Sequence, residues 1–217
     1  MKLLWSPRSP FVRKVMILLH ELGRVDEVEL IRAVAVPRGQ PNPEIMSKNP
    51  LGRIPVLLRA GKEPVLESGQ ICECLAWDFE GGEALVLHTG EAREIQMRWQ
   101  ALGDGLMENL LLYRIEKTGA AGGDEQRLVS LGAKVTACFS TLNEDALRLA
   151  QTPFGIGQIA VICALGQADF RFADSAWRQR YPALAQWHLG SSERASIRAT
   201  AIKNDVEEPV QAMELKI

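Results

Sequence analysis

Residues 2–22, KLLWSPRSPFVRKVMILLHEL, predict a short strand, a loop with two Ser-Pro pairs and an amphipathic helix. The strand is expected at Lys2–Trp5, and apolar residues recur at helical spacing after the loop. Ser9 occupies the position of a helix N-cap and Pro10 that of the first helical residue, while Gly23 marks the end of the last turn. This arrangement holds a hydroxyl at the positive end of a helix, where an anion is stabilised.

A serine before a proline at a helix start is in most proteins only a cap. The two roles are compatible here, because a hydroxyl carries two acceptor lone pairs and one donor hydrogen. The Ser9 oxygen can accept a first-turn amide while its hydrogen is donated to a bound thiolate. Ser6 is also followed by proline, but it lies one helical turn too early to cap this helix.

The composition is that of a globular protein large enough to form one large domain or two small ones. The chain has 217 residues, of which 47% are hydrophobic and 24% charged, with a formal net charge of -2. This balance gives no general attraction to nucleic acid or anionic lipid, so we expect neither as a partner. We also expect no transmembrane segment, no signal peptide before the first strand, and a cytoplasmic location.

The cysteines and histidines show no metal-binding spacing. Cys72 and Cys74 lie two residues apart on a predicted helix and point to different faces, and Cys138 and Cys163 are isolated in sequence. We therefore expect free, buried thiols in a reducing compartment and no structural metal.

The first 80 residues predict a mixed four-stranded sheet with helices packed on it, an α/β arrangement. After the first helix, strands are expected at 28–36, 55–59 and 63–67, the last two as a hairpin. Residues 37–55 are rich in Pro, Gly and Asn and predict a loop with one helical turn at most. Ser68 is expected to cap the next helix.

Beyond residue 80 the strand patterns end. A stretch rich in glycine and acidic residues at 81–90 predicts a linker between a first domain, residues 1–80, and a second domain, residues 91–217. The second domain is expected to be all-helical, with helices at 91–112, 124–149, 155–170 and 183–191.

Ile54-Pro55 and Glu67-Ser68 add two binding features to the first domain. A cis bond before Pro55 would turn the backbone N–H and C=O of Ile54 outward, where they could pair with an extended peptide; an ordinary edge-strand start is the alternative. At the second helix start, the Ser68 amide and hydroxyl could hold a carboxylate and Glu67 an ammonium. The alternative there is a plain cap preceded by a surface acid.

A peptide with a free amino-acid head, a backbone and a thiol would satisfy all three features, and glutathione is such a peptide. Its γ-glutamyl head would lie at Glu67 and Ser68, its cysteinyl backbone along Ile54, and its sulfur near Ser9. Its glycyl carboxylate requires a cation, and the basic residues of the following loop are the candidates: Arg38, Lys48 and Arg53.

Three segments in this order resemble the cytosolic glutathione S-transferase family. SPRSPFVRKVMI (6–17), NPLGRIPVLL (49–58) and LESGQICECL (66–75) are similar to its thiol-site, cis-proline and γ-glutamyl motifs. FGIGQIAVICALGQADFRF (154–172) resembles the core helix of bacterial members. The resemblance implies a thioredoxin-like first domain, an all-helical second domain, and a cytoplasmic homodimer with active sites near the subunit boundary and a role in detoxification.

The resemblance also implies roles for single residues. Ser9 matches the thiol-activating position, Ile54 and Pro55 the cis-proline pair, and Glu67 and Ser68 the γ-glutamyl contacts. Asp104, in ALGDGLM, falls on a helix that lines the family's cleft and dimer interface; it is either a further glutathione contact or an exposed acid.

The core helix departs from the family pattern of Ser/Thr followed three residues later by Asp. Gly155 and Gln158 stand there instead. We expect a cap that is weaker by a few tenths to about 1 kcal/mol.

The function implied is that of a glutathione transferase, in which Ser9 stabilises the glutathione thiolate for attack on a small hydrophobic electrophile. The pocket for that electrophile is expected at residues that could equally be core packing: Phe11, Met107, Leu111 and Arg114. A glutathione-dependent isomerase or dehalogenase on the same fold, and a non-catalytic interaction protein, remain alternatives. A thiol oxidoreductase would need a cysteine at position 9, and serine stands there.

Overall fold

The computed structural model describes residues 1–119, 122–205 and 213–215. Over these residues the strands are β1 Lys2–Trp5, β2 Glu29–Arg32 and β3 Val56–Leu58. The helices are α1 Pro10–Glu21, α2 Pro43–Met46, α3 Ser68–Asp78, α4 Gly82–Leu85, α5 Gly90–Lys117, α6 Glu125–Glu144, α7 Ala146–Gln151, α8 Ile156–Arg171, α9 Trp177–Arg180, α10 Pro182–Ser191 and α11 Ala195–Ala199.

The sheet has the order β2-β1-β3, with β1 parallel to β2 and antiparallel to β3. The parallel pair requires a crossover, which α1 provides. Leu3 and Leu4 of β1 are buried against the helices. The first domain is thus thioredoxin-like and the part that follows is helical, as predicted.

The predicted fourth strand at 63–67 is wrong, since the sheet of the described residues has three strands. Val65 forms only an isolated bridge to Leu57, with both N–O distances at 3.0 Å. Pro64 has no N–H to donate, and the chain leaves the extended conformation directly after Glu67, where α3 begins at Ser68. The strand predicted at 28–36 is shorter in the structure, Glu29–Arg32, because its partner β1 ends at Trp5. The last hydrogen bond between them runs from the Ala33 amide to the Trp5 carbonyl at 2.8 Å.

The helical part follows the prediction except at its breaks. The helix expected at 124–149 is interrupted at Asp145, whose carboxylate accepts hydrogen bonds from the Trp99 indole at 3.0 Å and from the Arg98 guanidinium of α5. Helices α4, α9 and α11 were not predicted, because four or five residues are too few to show a helical period. None of the described helices has the length and apolar character needed to cross a bilayer.

The segment 81–90, expected as a linker, is folded and packed. Val86 is fully buried, and Gln96 of α5 accepts a hydrogen bond from the Leu87 amide and donates one to the Leu85 carbonyl, both at 3.0 Å. The domain boundaries at this segment stay a prediction.

Steric crowding at the start of α8 explains why a glycine stands at position 155. A Cβ there would lie 2.2 Å from the Gln96 amide nitrogen and 2.6 Å from the Leu85 carbonyl. Gln158 accepts a hydrogen bond from the Gly155 amide at 3.2 Å and donates to the carbonyls of Thr152 and Pro153. The glutamine therefore ties the preceding loop to the helix start, although no side chain caps it.

The central contact of the second domain is the close packing of α5 on α8. Gly103 permits it, because a Cβ there would lie 2.5 Å from the Ala160 carbonyl carbon and 2.7 Å from the Val161 amide.

We expect Gly103→Ala to lower the free energy of unfolding by about 1–3 kcal/mol through overpacking, measured by urea denaturation. Gly105→Ala is the matched control on the same helix, since nothing lies within 4 Å of its Cβ. It should leave stability unchanged or raise it by up to about 1 kcal/mol. Equal effects of the two would contradict this packing.

Candidate functional site

Ser9, a half-buried residue, caps α1 just beyond the end of β1. Its Oγ accepts the Val12 amide at 3.3 Å, and Pro10 is the first helical residue. The hydroxyl hydrogen has no acceptor among the described residues. Ser6 is buried instead, with 4% of its surface exposed, and its carbonyl accepts the Ser9 amide at 3.2 Å. Of the two Ser-Pro hydroxyls, Ser9 is therefore the one that a ligand can reach.

Ile54 lies next to this loop because β3 pairs antiparallel with β1. Val56 is opposite Leu4, so the residues before Val56 lie level with the loop that follows β1. The peptide bond between Ile54 and Pro55 is cis. In the described part of the chain, the backbone N–H and C=O of Ile54 have no hydrogen-bond partner, and an extended peptide could pair with them.

Asn49 shapes the loop that leads to Ile54. It is fully buried, its amide donates to the Arg53 carbonyl at 2.9 Å, and its oxygen accepts from the Leu51 amide at 2.9 Å. Asn49 belongs to the NPLGRIPVLL segment, and its residue type alone did not predict this role.

Glu67, not Ser68, caps α3. Its carboxylate accepts from the Gly69 amide at 2.8 Å and the Gln70 amide at 3.2 Å, and the Ser68 hydroxyl donates to it at 2.8 Å. The carboxylate wins because its two oxygens can serve several amide donors at once. The Ser68 hydroxyl hydrogen is thus used by Glu67, and the Ser68 amide is the donor left for a bound carboxylate.

Lys14 and Asp104 form a buried ion pair behind this site. The Lys14 side chain is fully buried, and its Nζ lies 2.8 Å from both carboxylate oxygens of Asp104. Asp104 is therefore a paired acid rather than a plain exposed one, and its role as a glutathione contact stays a prediction. The pair joins α1 of the first domain to α5 of the second.

The pKa shifts of the two acids follow from their surroundings. Burial raises the pKa of Asp104, an effect that the Lys14 ammonium only partly offsets. Burial also raises the pKa of Glu67, but the Gly69 amide and the Lys14 ammonium outweigh it, so the pKa of Glu67 is lowered. Glu67 is therefore ionised at neutral pH and available to an ammonium.

The three cations of the loop differ in their surroundings. Arg38 is hydrogen-bonded to the Ile115 carbonyl near the end of α5. Arg53 is exposed and lies 3.6 Å from Glu108. Lys48 is exposed, without an acidic partner among the residues that the structure describes.

The residues expected to line a second pocket separate into two groups. Met107 is fully buried in the core, and its assignment to a pocket stays a prediction. Phe11, Leu111 and Arg114 are each partly exposed.

The four cysteines are free, and burial favours the protonated thiol at Cys72, Cys138 and Cys163. Cys72 and Cys163 are buried, while Cys74 and Cys138 are only half-buried. Burial raises the pKa of the Cys163 thiol to about 12. Among the described residues no group of three or more His, Cys, Asp or Glu side chains could hold a metal ion.

Two family descriptions match the chain. Residues 8–76 match "Glutathione S-transferase, N-terminal domain" and residues 125–189 match "Glutathione S-transferase, C-terminal domain". An uncharacterized GST-like protein of Escherichia coli, YibF, is 30% identical over 181 residues, covering 82% of this chain and 86% of that protein.

Solved structures show the same fold over nearly the whole chain. A glutathione transferase family member from Pseudomonas fluorescens Pf-5, with bound glutathione, is 34% identical with a TM-score of 0.88, covering 94% of this chain and 99% of its own. A glutathione S-transferase from Methylobacillus flagellatus, also with glutathione bound, is 29% identical with a TM-score of 0.82. The match covers 92% of this chain and 98% of that one.

The buried ion pair gives a stability prediction. Lys14→Met leaves the Asp104 carboxylate without its cation, and we expect the free energy of unfolding to fall by about 3 kcal/mol. The double variant Lys14→Met, Asp104→Leu should recover most of that loss, because apolar replacement of a buried pair is often nearly neutral. Urea denaturation measures both.

A second ion pair serves as the control. Lys2 and Glu29 pair at 3.1 Å with more than half of each side chain exposed, at 54% and 61%. Lys2→Met should therefore change stability by about 1 kcal/mol or less. A loss for Lys14→Met no larger than this would show that the buried pair contributes little.

Proposed function

Because the chain belongs to the glutathione S-transferase family, we propose that it is a transferase that activates the thiol of bound glutathione for attack on a small, largely apolar electrophile. The observation that carries the proposal is the Ser9 hydroxyl. Its oxygen is fixed by the Val12 amide, and its hydrogen has no acceptor within the described residues. A thiolate placed there receives both a hydrogen bond and the positive end of α1.

The proposal is supported by what similar proteins hold. Two are named above with glutathione bound. A third structure, of a family member from Pseudomonas fluorescens Pf-5, contains S-(propanoic acid)-glutathione, a conjugate at the sulfur; it is 33% identical with a TM-score of 0.83 and covers 94% of this chain and 100% of its own.

In this proposal the glutathione is held at three places. The ammonium of its γ-glutamyl group pairs with Glu67, and the carboxylate of that group accepts the Ser68 amide. The cysteinyl backbone pairs with the N–H and C=O of Ile54, which follows the pattern of an added strand. The glycyl carboxylate has Arg38, Lys48 and Arg53 as its candidate cations, and Lys48 is the one without an acidic or carbonyl partner among the described residues.

The energies involved are sufficient for thiol activation. A free thiol has a pKa near 8.5, so only a few per cent is thiolate at pH 7. A charge-assisted hydrogen bond contributes about 1.5–3 kcal/mol and a helix terminus about 0.3–1 kcal/mol. At 1.36 kcal/mol per unit, the two together lower the thiol pKa by roughly 1–3 units. The thiolate sulfur then forms the bond to the electrophilic carbon directly, with no covalent bond to the protein.

The proposed enzyme acts as a homodimer. Trp77 on α3 and Met97 on α5 are exposed, at 77% and 51%, and the Arg93–Glu73 ion pair at 2.6 Å joins the same two helices. An aromatic and a methionine exposed beside charged residues are typical of a subunit interface. Sedimentation equilibrium tests this: the mass of one chain at every concentration would contradict the dimer.

The free cysteines accord with a reducing cytoplasm, where glutathione is available.

Calorimetric titration with glutathione between pH 5 and 9, in buffers of different ionisation enthalpy, tests the mechanism. We expect the unmodified protein to bind glutathione and release a proton near neutral pH. Ser9→Ala should still bind, but the bound thiol should keep a pKa higher by about 1–2 units, because the hydrogen bond to the thiolate is lost.

Ser6→Ala is the matched control, since that serine precedes a proline in the same loop and is buried. It should release the proton as the unmodified protein does. No binding at millimolar glutathione would contradict the proposed function, and proton release unchanged in Ser9→Ala would contradict the role of Ser9.

A further inference from the structure

Three arginines, Arg8, Arg114 and Arg171, lie close enough for their charges to act on one another. Arg8 directly precedes Ser9, Arg114 lies in the last turn of α5, and Arg171 is the last residue of α8. The two helix ends meet: the rings of Tyr113 and Phe172 contact edge to face, with centroids 5.8 Å apart. Arg114 follows Tyr113 in the chain and Arg171 precedes Phe172, so both arginines are adjacent to this helix–helix contact.

Only one of the three has an acidic partner within the described residues. Arg8 Nε lies 2.9 Å from Asp205, and Arg32 also pairs with that carboxylate. Arg171 is 7% exposed, stacks on the Phe170 ring with its guanidinium carbon 4.2 Å from the centroid, and its buried Nε has no hydrogen-bond partner there. Arg114 likewise has no carboxylate partner in this part of the chain.

The arginines also act on one another. Burial, together with the charges of Arg114 and Arg8, lowers the pKa of Arg171 to about 10. Burial and Arg8 lower the pKa of Arg114. Guanidinium groups within reach of each other's charge, and withdrawn from water, repel unless an anion lies between them.

A purely structural explanation accounts for only part of this. A cation at the C-terminal end of a helix interacts favourably with the helix dipole, and both Arg114 and Arg171 have that position. The helix dipole does not account for Arg8 of the first domain, whose charge acts on both Arg114 and Arg171. Planar guanidinium groups bind carboxylates in a bidentate manner, which a converging set allows.

We propose that Arg114 and Arg171 bind a carboxylate of the second substrate, so that the electrophile attacked by the glutathione thiolate is an anion with an apolar body. This inference rests on the proposed function. With a chloroarene carboxylate, the thiolate sulfur forms a bond to the ring carbon, and chloride leaves with the electron pair of the C–Cl bond. The carboxylate is unchanged and no redox reagent is required.

The test compares 4-chloro-3-nitrobenzoate with its neutral isostere, 4-chloro-3-nitrobenzamide. The unmodified protein should use the acid with a kcat/KM at least about 10-fold higher than the amide, relative to their uncatalysed rates, since one charge-assisted hydrogen bond is worth that factor. Arg114→Gln should remove the preference of acid over amide, and Arg114→Lys should keep part of it. Arg148→Gln, at an exposed arginine on α7, is the control and should behave as the unmodified protein.

Calorimetric binding of 3-nitrobenzoate and 3-nitrobenzamide, with S-methylglutathione present, gives a readout that needs no turnover. Tighter binding of the acid, weakened in Arg114→Gln, supports the proposal even if the chloroarenes react slowly. Equal binding of acid and amide overturns it. Weaker binding of S-methylglutathione itself in Arg114→Gln also overturns it, because the arginines would then hold glutathione. Failure to bind S-methylglutathione at all, with the acid preference intact, contradicts the proposed function alone.

Discussion

The position of α1 between the two domains determines the rest of the structure, and the Lys14–Asp104 ion pair is its central contact. Lys14 is fully buried with its Nζ 2.8 Å from both carboxylate oxygens, which fixes α1 against α5. Two further polar residues of α1 also contact the second domain: Arg13 donates to the Ile197 carbonyl at 3.4 Å, and Glu21 accepts from Arg194 at 2.6 Å. Since Ser9 caps this helix, the same contacts orient the proposed thiol site.

The site and the domain interface share one electrostatic system. The Lys14 ammonium helps to lower the pKa of Glu67 and partly offsets the rise that burial causes in the pKa of Asp104, so it acts on an acid on each side of the interface. A buried ion pair is weak evidence for net stability, because desolvation opposes it, but it defines one arrangement of the helices that carry it. The proposed consequence is a rigid Glu67 facing the ligand and a rigid Ser9 facing its sulfur.

The first domain and the order of the motifs were predictable from sequence because they depend on local rules. The cap at Ser9, the glycine after α1 and the helical period of its apolar side chains are short-range features. The contacts of Arg13, Lys14 and Glu21 with the second domain were not predictable, because sequence periodicity does not show that a second domain covers the polar faces of α1. The prediction that Ser68 caps α3 was wrong for a similar reason. Serine is the usual N-cap, and only the geometry shows that the carboxylate of the preceding Glu67 accepts the first-turn amides instead. The convergence of Arg114 and Arg171 depends on helices more than 50 residues apart in sequence.

The most direct test of the central claim is an experimental structure of the protein with glutathione bound. We predict the sulfur within hydrogen-bonding distance of Ser9 Oγ, two backbone hydrogen bonds between the cysteinyl residue and Ile54, and the Lys14–Asp104 pair unchanged. A sulfur directed away from Ser9, or an Asp104 released from Lys14 to bind the ligand, would contradict the account.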